Sequence, residues 1–267
     1  MGKVIAVANQ KGGVGKSTTA VNLAAYLGSR GYKVLCIDID AQGNCTTGFG
    51  IKKKGIPASA YDMLTGKAKM EDTILQTEFE NVSLVPGTAD LAGAEVELIQ
   101  MEERFKRLKM QVLTVKEQYD YVFIDCPPAL GLLTLNGLTA CDEILVPMLA
   151  EYYALEGLTQ LMHTFRLVRS NYNPTLDICG IVFTMYDQRL NVSRQVVEEV
   201  QKYFPDKVFQ TKIPRNVRLS EAPSYGKPVM YYDKNSKGAL FYELLGKEFL
   251  GEELDNKTKW RMRRAMT

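Results

Sequence analysis

Residues 5–19 read IAVANQKGGVGKSTT, so an apolar run leads into three glycines, then Lys16 and Ser17, then an alanine-rich stretch. This order of strand, glycine-rich loop and helix predicts a phosphate-binding loop, because glycines let consecutive backbone N–H groups converge on one anion. A helix that begins near Lys16 adds its positive end. Lys16 then supplies a point charge to the β- and γ-phosphates, and the Ser17 hydroxyl can ligate Mg²⁺.

The loop departs from the standard pattern at one position. Gln10 stands where that pattern has glycine, and a second lysine, Lys11, opens the loop. Because Lys16 already fills the role of the one lysine that a nucleotide needs, Lys11 is free to reach a phosphate bound elsewhere. We therefore expect two ATP molecules to be sandwiched between two protomers. No GxGxxG dinucleotide fingerprint can be placed in this stretch.

The rest of the chain alternates short apolar runs with helical patterns. The predicted strands are residues 4–8, 34–37, 82–85, 121–124, 143–147, 178–183 and 208–213, and the predicted helices are residues 16–28, 89–112, 130–140, 155–172, 192–204 and 238–250. This rhythm is typical of an α/β fold with one doubly wound, mostly parallel sheet and helices on both faces. Because no linker divides the chain, we expect one ATPase domain over residues 1–253 and a basic, flexible tail over residues 254–267.

Composition excludes several classes of protein. The 267 residues are 46% apolar and 24% charged with a net charge of +2, which excludes collagen-like and mostly disordered chains. The five cysteines form no CxxC pair, so neither a disulfide framework nor a zinc site is indicated, and a reducing cytoplasm is expected. We expect no signal peptide, and no apolar run reaches the roughly 20 residues that span a bilayer.

Two apolar runs end in aspartate. Residues 34–40 read VLCIDID and end with Asp38 and Asp40, whereas residues 121–128 read YVFIDCPP and contain Asp125. A strand-end aspartate beside a phosphate loop is placed to hold Mg²⁺, directly or through water, and we expect Asp125 to do so. Asp38 and Asp40 share a face of an extended chain, so one can support the metal while the other positions the attacking water. The single histidine, His163, lies among apolar residues and is expected to be structural.

Several longer stretches resemble one family of ATPases. VANQKGGVGKSTT, DIDAQGN, DCPPALGLLT, EYYALEGL and IPRNVRLSEAPS are similar to motifs of the ParA/MinD superfamily with its deviant Walker A loop, and most of all to chromosomal ParA (Soj) proteins. The resemblance covers about residues 1–250. It implies ATP-dependent sandwich dimers that bind DNA without sequence preference on the nucleoid. It also implies a ParB-like partner that stimulates slow hydrolysis.

The resemblance implies a role for each matching residue. Lys11 becomes the signature lysine that crosses the dimer interface, Gly12 lies where two subunits approach closely, and Asp40 activates the hydrolytic water. Asp125 becomes the aspartate on the Mg²⁺ side. Nucleotide, phosphate and metal contacts are expected at Lys11, Gly12, Gly13, Val14, Gly15, Lys16, Ser17 and Thr18, and Pro214, Arg215 and Asn216 are expected around the adenine. Together with the strand-end position of Asp38, this gives Ser17, Asp38 and Asp125 as the expected metal ligands.

One position departs from the family pattern. Ala41 stands where the family usually has proline in DxDPQGN. Because alanine does not fix φ as proline does, we expect a more mobile catalytic loop.

Residues 189–227 are a candidate DNA surface because they carry net positive charge in a nearly neutral chain. The basic residues are Arg189, Arg194, Lys202, Lys207, Lys212, Arg215, Arg218 and Lys227, and the acidic ones are Glu198, Glu199, Asp206 and Glu221. A charge run of this kind is usually a solvated face, but the resemblance places Arg189 and Arg218 at DNA contacts. Contacts to phosphates would be sequence-independent and salt-sensitive, and ATP would gate them by doubling the surface in a dimer.

Three alternatives remain open at this point. MinD relatives end in a membrane helix, but residues 257–264, KTKWRMRR, offer only a thin apolar face around Trp260, so we expect a basic tail and no membrane partner. An iron–sulfur reductase needs cysteines that meet across a dimer, for which Cys126 and Cys141 are the candidates. A small-molecule ligase needs a substrate pocket, of which the sequence gives no specific sign.

Overall fold

A single mostly parallel sheet runs through the computed structural model, which describes residues 2–254 together with Trp260 and Arg261. The strands are β1 (Lys3–Val7), β2 (Val34–Asp38), β3 (Leu75–Gln76), β4 (Val82–Val85), β5 (Tyr121–Asp125), β6 (Glu143–Leu149) and β7 (Asp177–Thr184). They lie in the order β3-β4-β2-β5-β1-β6-β7, and only β3 runs antiparallel to its neighbour.

Helices cover both faces of this sheet. They are α1 (Lys16–Ser29), α2 (Asn44–Gly48), α3 (Ala60–Thr65), α4 (Met70–Thr73), α5 (Leu91–Ile99), α6 (Arg107–Val115), α7 (Leu132–Ala140), α8 (Ala154–Asn171), α9 (Asn191–Tyr203), α10 (Val217–Glu221), α11 (Val229–Tyr232) and α12 (Lys237–Phe249). Alternate residues of β1 belong to two separate cores, since Ile5 and Val7 pack with α1 and α12, whereas Val4 and Ala6 pack with α5 to α9. The predicted doubly wound α/β fold is therefore confirmed.

The predicted helix over residues 89–112 is wrong, because the structure divides it into α5 and α6. Glu103 in the intervening turn has a left-handed φ of 52°. The Asn136 side chain, from α7, donates to the Arg104 carbonyl at 2.7 Å and accepts from the Leu108 N–H at 3.2 Å. These contacts satisfy backbone groups at the turn, and they come from a residue about 30 positions along the chain.

The predicted strand over residues 208–213 is also wrong. In the described part of the chain, this segment is joined to β7 and the residue pair after it by isolated bridges, from Val208 to Ile181 and from Pro214 to Tyr186. Between them, the Gln210 and Thr211 N–H groups donate to the Glu248 carboxylate at 2.6 and 2.9 Å, so they do not extend the sheet. The segment runs beside β7 as a loop, which leaves its end free to border the candidate site.

The carboxyl ends of three central strands meet at one edge of the sheet. In the strand register, Asp125 is the partner of both Val7 of β1 and Asp38 of β2. The glycine-rich loop follows β1, so this edge brings the loop and both strand-end aspartates together. Ligands of open α/β sheets bind in the crevice outside the carboxyl ends of the strands.

The carboxyl-terminal tail is described only in part. Of the predicted tail, residues 255–259 and 262–267 lie outside the described residues, and the prediction of a basic, flexible segment stays a prediction. Arg261 forms an ion pair with Glu243 of α12 at 2.6 Å. Among the described residues, no helix combines the length and the apolar character needed to cross a membrane.

Candidate functional site

The glycine-rich loop has the backbone of an anion cradle. Gly13 and Gly15 have φ of +70° and +86°, in the left-handed region that side chains disfavour. Among the described residues, no side chain caps the amino end of α1, which begins directly after Gly15. The first N–H groups of this 14-residue helix therefore remain available for an anion, as the sequence predicts.

Two polar side chains hold the loop against the sheet. The Asn9 side chain donates to the Pro147 carbonyl at 2.8 Å and accepts from the Lys11 N–H at 3.0 Å. From β7, the Thr184 hydroxyl donates to the Val14 carbonyl at 2.8 Å. Both side chains are buried, so they fix the shape of the loop before any ligand binds.

Lys16 lies inside the loop. Its side chain is buried, and its ammonium donates to the Lys11 carbonyl at 3.1 Å. Burial lowers the pKa of Lys16, while the negative charge of Asp125 acts in the opposite direction. The ammonium is thus held at the centre of the cradle, where a bound phosphate would replace the carbonyl as its partner.

Lys11 lies at the mouth of the loop and is engaged by its own chain. Its ammonium is 3.0 Å from a carboxylate oxygen of Glu151, and both side chains are partly exposed. Gly12 beside it is exposed, and a Cβ there would come no closer than 3.9 Å to Pro128. Gly12 is therefore accessible from outside the chain, next to the cradle.

Asp38 is a buried carboxylate with several internal partners. Thr46 donates to it from its N–H at 2.8 Å and its hydroxyl at 2.6 Å, and the Asp40 N–H donates at 3.2 Å. Burial nevertheless raises the pKa of Asp38 to about 6. Because both carboxylate oxygens are occupied, Asp38 is arranged to support the loop that follows β2.

Asp125 is also buried but, unlike Asp38, its carboxylate lacks internal partners in the described residues. It is 1% exposed, and neither carboxylate oxygen has a hydrogen-bond partner within the described part of the chain. Burial raises its pKa well above the usual range and the charge of Asp38 adds to this, while Ser17 and Lys16 act in the opposite direction. A buried, unpaired carboxylate is costly unless something binds it.

These donors fit a magnesium ion. Asp125 offers free hard oxygens, and Ser17 lies in the first turn of α1 beside it. Within residues 2–254, no three His, Cys, Asp or Glu side chains form a metal cluster by themselves. An ion held here would therefore take its remaining ligands from water and phosphate oxygens, as Mg²⁺ commonly does.

The loop after β2 is a tight turn built on Asp40. The Asp40 carboxylate accepts from the Gln42 N–H at 2.9 Å, and its carbonyl accepts from the Gly43 N–H at 2.8 Å. From outside the turn, the Lys53 ammonium donates to the Gln42 carbonyl. The mobility expected from Ala41 stays a prediction, and the contact of Lys53 with this loop could not be found from the sequence.

The predicted adenine segment borders a large cleft. Pro214 and Arg215 line a cleft of 1260 Å³ together with Glu151 and Met185. Met185 follows β7 directly and has a φ of 50°, a strained conformation that is often found at ligand sites. Asn216 accepts from the Arg218 N–H at 3.1 Å and caps α10. None of residues 12–18 lines the cleft, which approaches the phosphate loop only through Glu151, the ion-pair partner of Lys11. Its volume is large enough for a nucleoside.

The two arginines predicted to contact DNA are both held by carboxylates of their own chain. Arg189 makes two side-chain hydrogen bonds to Asp187, at 2.9 and 2.7 Å. Arg218 lies 2.7 Å from Glu221 and 3.2 Å from Asp233. The two arginines lie on separate elements, since Arg189 is in the turn before α9 and Arg218 is in α10. Any phosphate that binds either guanidinium must compete with these acids.

Other candidate residues lie away from the loop or are inaccessible. His163 is exposed on α8, so the expectation of a packed structural histidine is wrong. Cys126 and Cys141 are buried in the core, and burial raises the pKa of both thiols. They are therefore not placed to meet partner cysteines at a subunit surface.

Comparison with known proteins places this site in a family. A family profile described as an AAA domain matches residues 2–178. The chain is 55% identical to the sporulation initiation inhibitor protein Soj of Bacillus subtilis, over 93% of this chain and 98% of that protein. It is 50% identical to the chromosome partitioning protein ParA of Myxococcus xanthus, over 94% of this chain and 88% of that protein.

A solved structure has the same fold over almost the whole chain. It is a cobyrinic acid a,c-diamide synthase from Mycobacterium smegmatis with bound ADP and magnesium, with a TM-score of 0.81, 36% identity and 94% of both chains covered. The higher identity to Soj and ParA, over a similar length, confirms the resemblance of the sequence motifs. The chain belongs to the ParA/MinD superfamily and, within it, to the Soj/ParA family of chromosome-partitioning ATPases.

Proposed function

We propose that this protein is an ATP-driven partitioning switch on the nucleoid, in the cytoplasm. The observation that carries the proposal is the buried Asp125 carboxylate, free of partners in the described residues and beside the phosphate loop, which matches a magnesium–nucleotide complex. ATP binding pairs two protomers, and the pair binds DNA without sequence preference. A ParB-like partner stimulates slow hydrolysis, which returns the protein to single subunits.

Different residues would bind the phosphates, the adenine and the metal ion of the nucleotide. The N–H groups of residues 12–18 surround the phosphates, Lys16 donates to their oxygens, and Pro214 to Asn216 enclose the adenine at the cleft. Ser17 and Asp125 would hold Mg²⁺, and Asp38 would support the metal site from the neighbouring strand. When bound, the ion neutralises charge on the phosphates.

Hydrolysis depends on Asp40 in this proposal. Its carboxylate is buried in the loop just after β2, where one oxygen already accepts a backbone N–H and the side chain is therefore oriented. A carboxylate held in this way positions a water molecule and accepts its proton. Because the Asp40 N–H donates to the Asp38 carboxylate, Asp38 helps to set that orientation.

The Lys11→Ala variant tests the pairing step. We expect ATP-dependent dimerisation to weaken by about 2 kcal/mol or more, roughly 30-fold, because an unpaired phosphate charge would be buried at the interface. ATP binding by the monomer should persist, since Lys16 is unchanged. Light scattering with a non-hydrolysable ATP analogue measures the dimer, and fluorescent-nucleotide binding measures the monomer.

Lys67→Ala is the matched control for Lys11→Ala. Lys67 is likewise partly exposed and ion-paired, with Glu97 at 3.4 Å, but it follows α3, away from the loop. This variant should dimerise as the unmodified protein does. Normal dimerisation and turnover of the Lys11→Ala variant would contradict the proposed interface.

DNA binding is tested by titrating two unrelated duplexes with the protein at increasing salt. With a non-hydrolysable ATP analogue, we expect equal affinity for both duplexes and a linear fall of log affinity with log salt, because the contacts are to phosphates. Arg189→Ala and Arg218→Ala should each reduce the salt slope by about 1. Affinity that ignores salt, or that is equal with ADP and the ATP analogue, would exclude the DNA function.

Two other functions can be separated from this one by direct assays. A membrane-positioning ATPase would sediment with liposomes of anionic lipid in the presence of ATP. A synthase like the M. smegmatis neighbour would use the 1260 Å³ cleft for a second substrate and form an amide with ATP cleavage. The curated relatives of higher identity support the partitioning function over both.

A further inference from the structure

Three consecutive lysines form an exposed turn close to the catalytic loop. Lys52, Lys53 and Lys54, which we call the lysine turn, follow α2 and are all exposed. In the part of the chain that the structure describes, none of them lies within 4.0 Å of a carboxylate oxygen. Their charge is therefore not compensated locally, unlike that of Arg189 and Arg218.

The lysine turn is continuous with the basic segment 189–227. Just before the turn, Gly50 touches Gly226, and a Cβ added at Gly226 would lie 2.5 Å from the Gly50 Cα. Only glycines allow the two backbones to approach so closely. The contact places the lysine turn beside Lys227, another exposed lysine with no carboxylate within 4.0 Å in the described residues.

The three lysines are not equivalent. The Lys53 ammonium donates to the Gln42 carbonyl, and its stem covers Gly43, where a Cβ would lie 2.7 Å from the Lys53 Cε. Lys53 is therefore engaged with the catalytic loop. Lys52 and Lys54, on either side of it, make no such contact with the residues that the structure describes, so a ligand would have none to break.

We infer that Lys52 and Lys54 contact backbone phosphates of duplex DNA and extend the DNA surface to the edge of the catalytic loop. The inference rests on the proposed DNA function. Ammonium groups act as point charges on phosphates, so contacts of this kind add affinity and salt dependence without sequence preference. Uncompensated lysines also avoid the competition with internal carboxylates that Arg189 and Arg218 face.

The test is the double variant Lys52→Gln/Lys54→Gln, compared with Lys33→Gln/Lys69→Gln. Lys33 precedes β2 at the opposite edge of the sheet, and Lys69 precedes α4, whose Met70 packs in the core on the other face from α1. Both control lysines are exposed, so each double variant removes the same charge from the surface. Melting temperatures of both variants should match that of the unmodified protein.

DNA affinity and its salt slope are measured with a non-hydrolysable ATP analogue. We expect the lysine-turn variant to bind roughly 10-fold more weakly at low salt, with the magnitude of the salt slope reduced by about 1 for each phosphate that is no longer neutralised. The control variant should keep the slope. An equal decrease of affinity in both variants, or an unchanged slope in the lysine-turn variant, would overturn the inference while leaving the DNA function intact. If the unmodified protein binds no DNA, the proposed DNA function and the inference about Lys52 and Lys54 are both wrong.

Discussion

ATP turnover should fall by about 10²–10⁴-fold when Asp40 is replaced by asparagine, which is the usual contribution of a general base. Asparagine keeps the shape of the side chain and can still accept from the Gln42 N–H, but it cannot take a proton from water. Nucleotide binding should survive, because the loop and Asp125 are unchanged. The variant should therefore accumulate in the ATP-bound, paired state.

Single-turnover hydrolysis and light scattering on the same sample measure both effects. Asp72→Asn, on the exposed side of α4, is the matched control and should turn over ATP normally. If the Asp40→Asn variant also stays paired on DNA after ATP in solution is removed, hydrolysis is the step that resets the switch. Turnover within tenfold of the unmodified protein would contradict the role of Asp40.

The Asp125→Asn variant should be more stable than the unmodified protein in the absence of nucleotide, and yet respond much less to magnesium. Asp125 is buried, neither oxygen has a partner in the described residues, and it lies next to buried Asp38. Removing one of these two ionisable groups should raise the free energy of unfolding by about 1–3 kcal/mol. The same change removes the carboxylate that we place at the metal, so Mg²⁺ should no longer strengthen ATP binding.

Thermal unfolding between pH 4 and 8, with and without Mg²⁺ and ATP, tests this prediction. Because the folded pKa of Asp125 is raised, its destabilising effect is present above the unfolded pKa of about 4 and absent below it. The gain in the Asp125→Asn variant should therefore disappear towards pH 4. The Asp72→Asn variant should gain nothing at any pH. A destabilised Asp125→Asn variant with an intact magnesium response would exclude this account.

The six parallel strands and the phosphate loop could be predicted from the sequence because their signals are local, whereas the two-residue β3 was not predicted. Apolar runs of four to six residues are typical of buried parallel strands, and the loop carries its own glycines and lysines. The ends of β2 and β5 could also be located, since Asp38 and Asp125 each close an apolar run. Their register partnership then follows from the parallel order of the sheet.

The remaining features depend on residues that are distant in sequence. The break between α5 and α6 depends on Asn136, and the loop conformation depends on Thr184, 170 positions from its acceptor Val14. Glu151, the partner of Lys11, and Asp233, the second partner of Arg218, are set by tertiary packing that no periodicity encodes. Such pairings decide which charges are available to a ligand, and they become visible only in the folded chain.

In the proposed dimer, the contact between Lys11 and Glu151 would make subunit association an exchange of counter-ions. A lone subunit keeps this amine neutralised at a partly exposed site, where such a pair contributes less than about 1 kcal/mol. In the proposed dimer, this ion pair would be weak enough for Lys11 to exchange Glu151 for the triphosphate that a second subunit holds in the correct orientation. A free nucleotide in solution would gain little by displacing the Glu151 carboxylate from Lys11. In this proposal, Lys11 would favour a second subunit that carries ATP, and the Lys11–Glu151 ion pair would form again after hydrolysis.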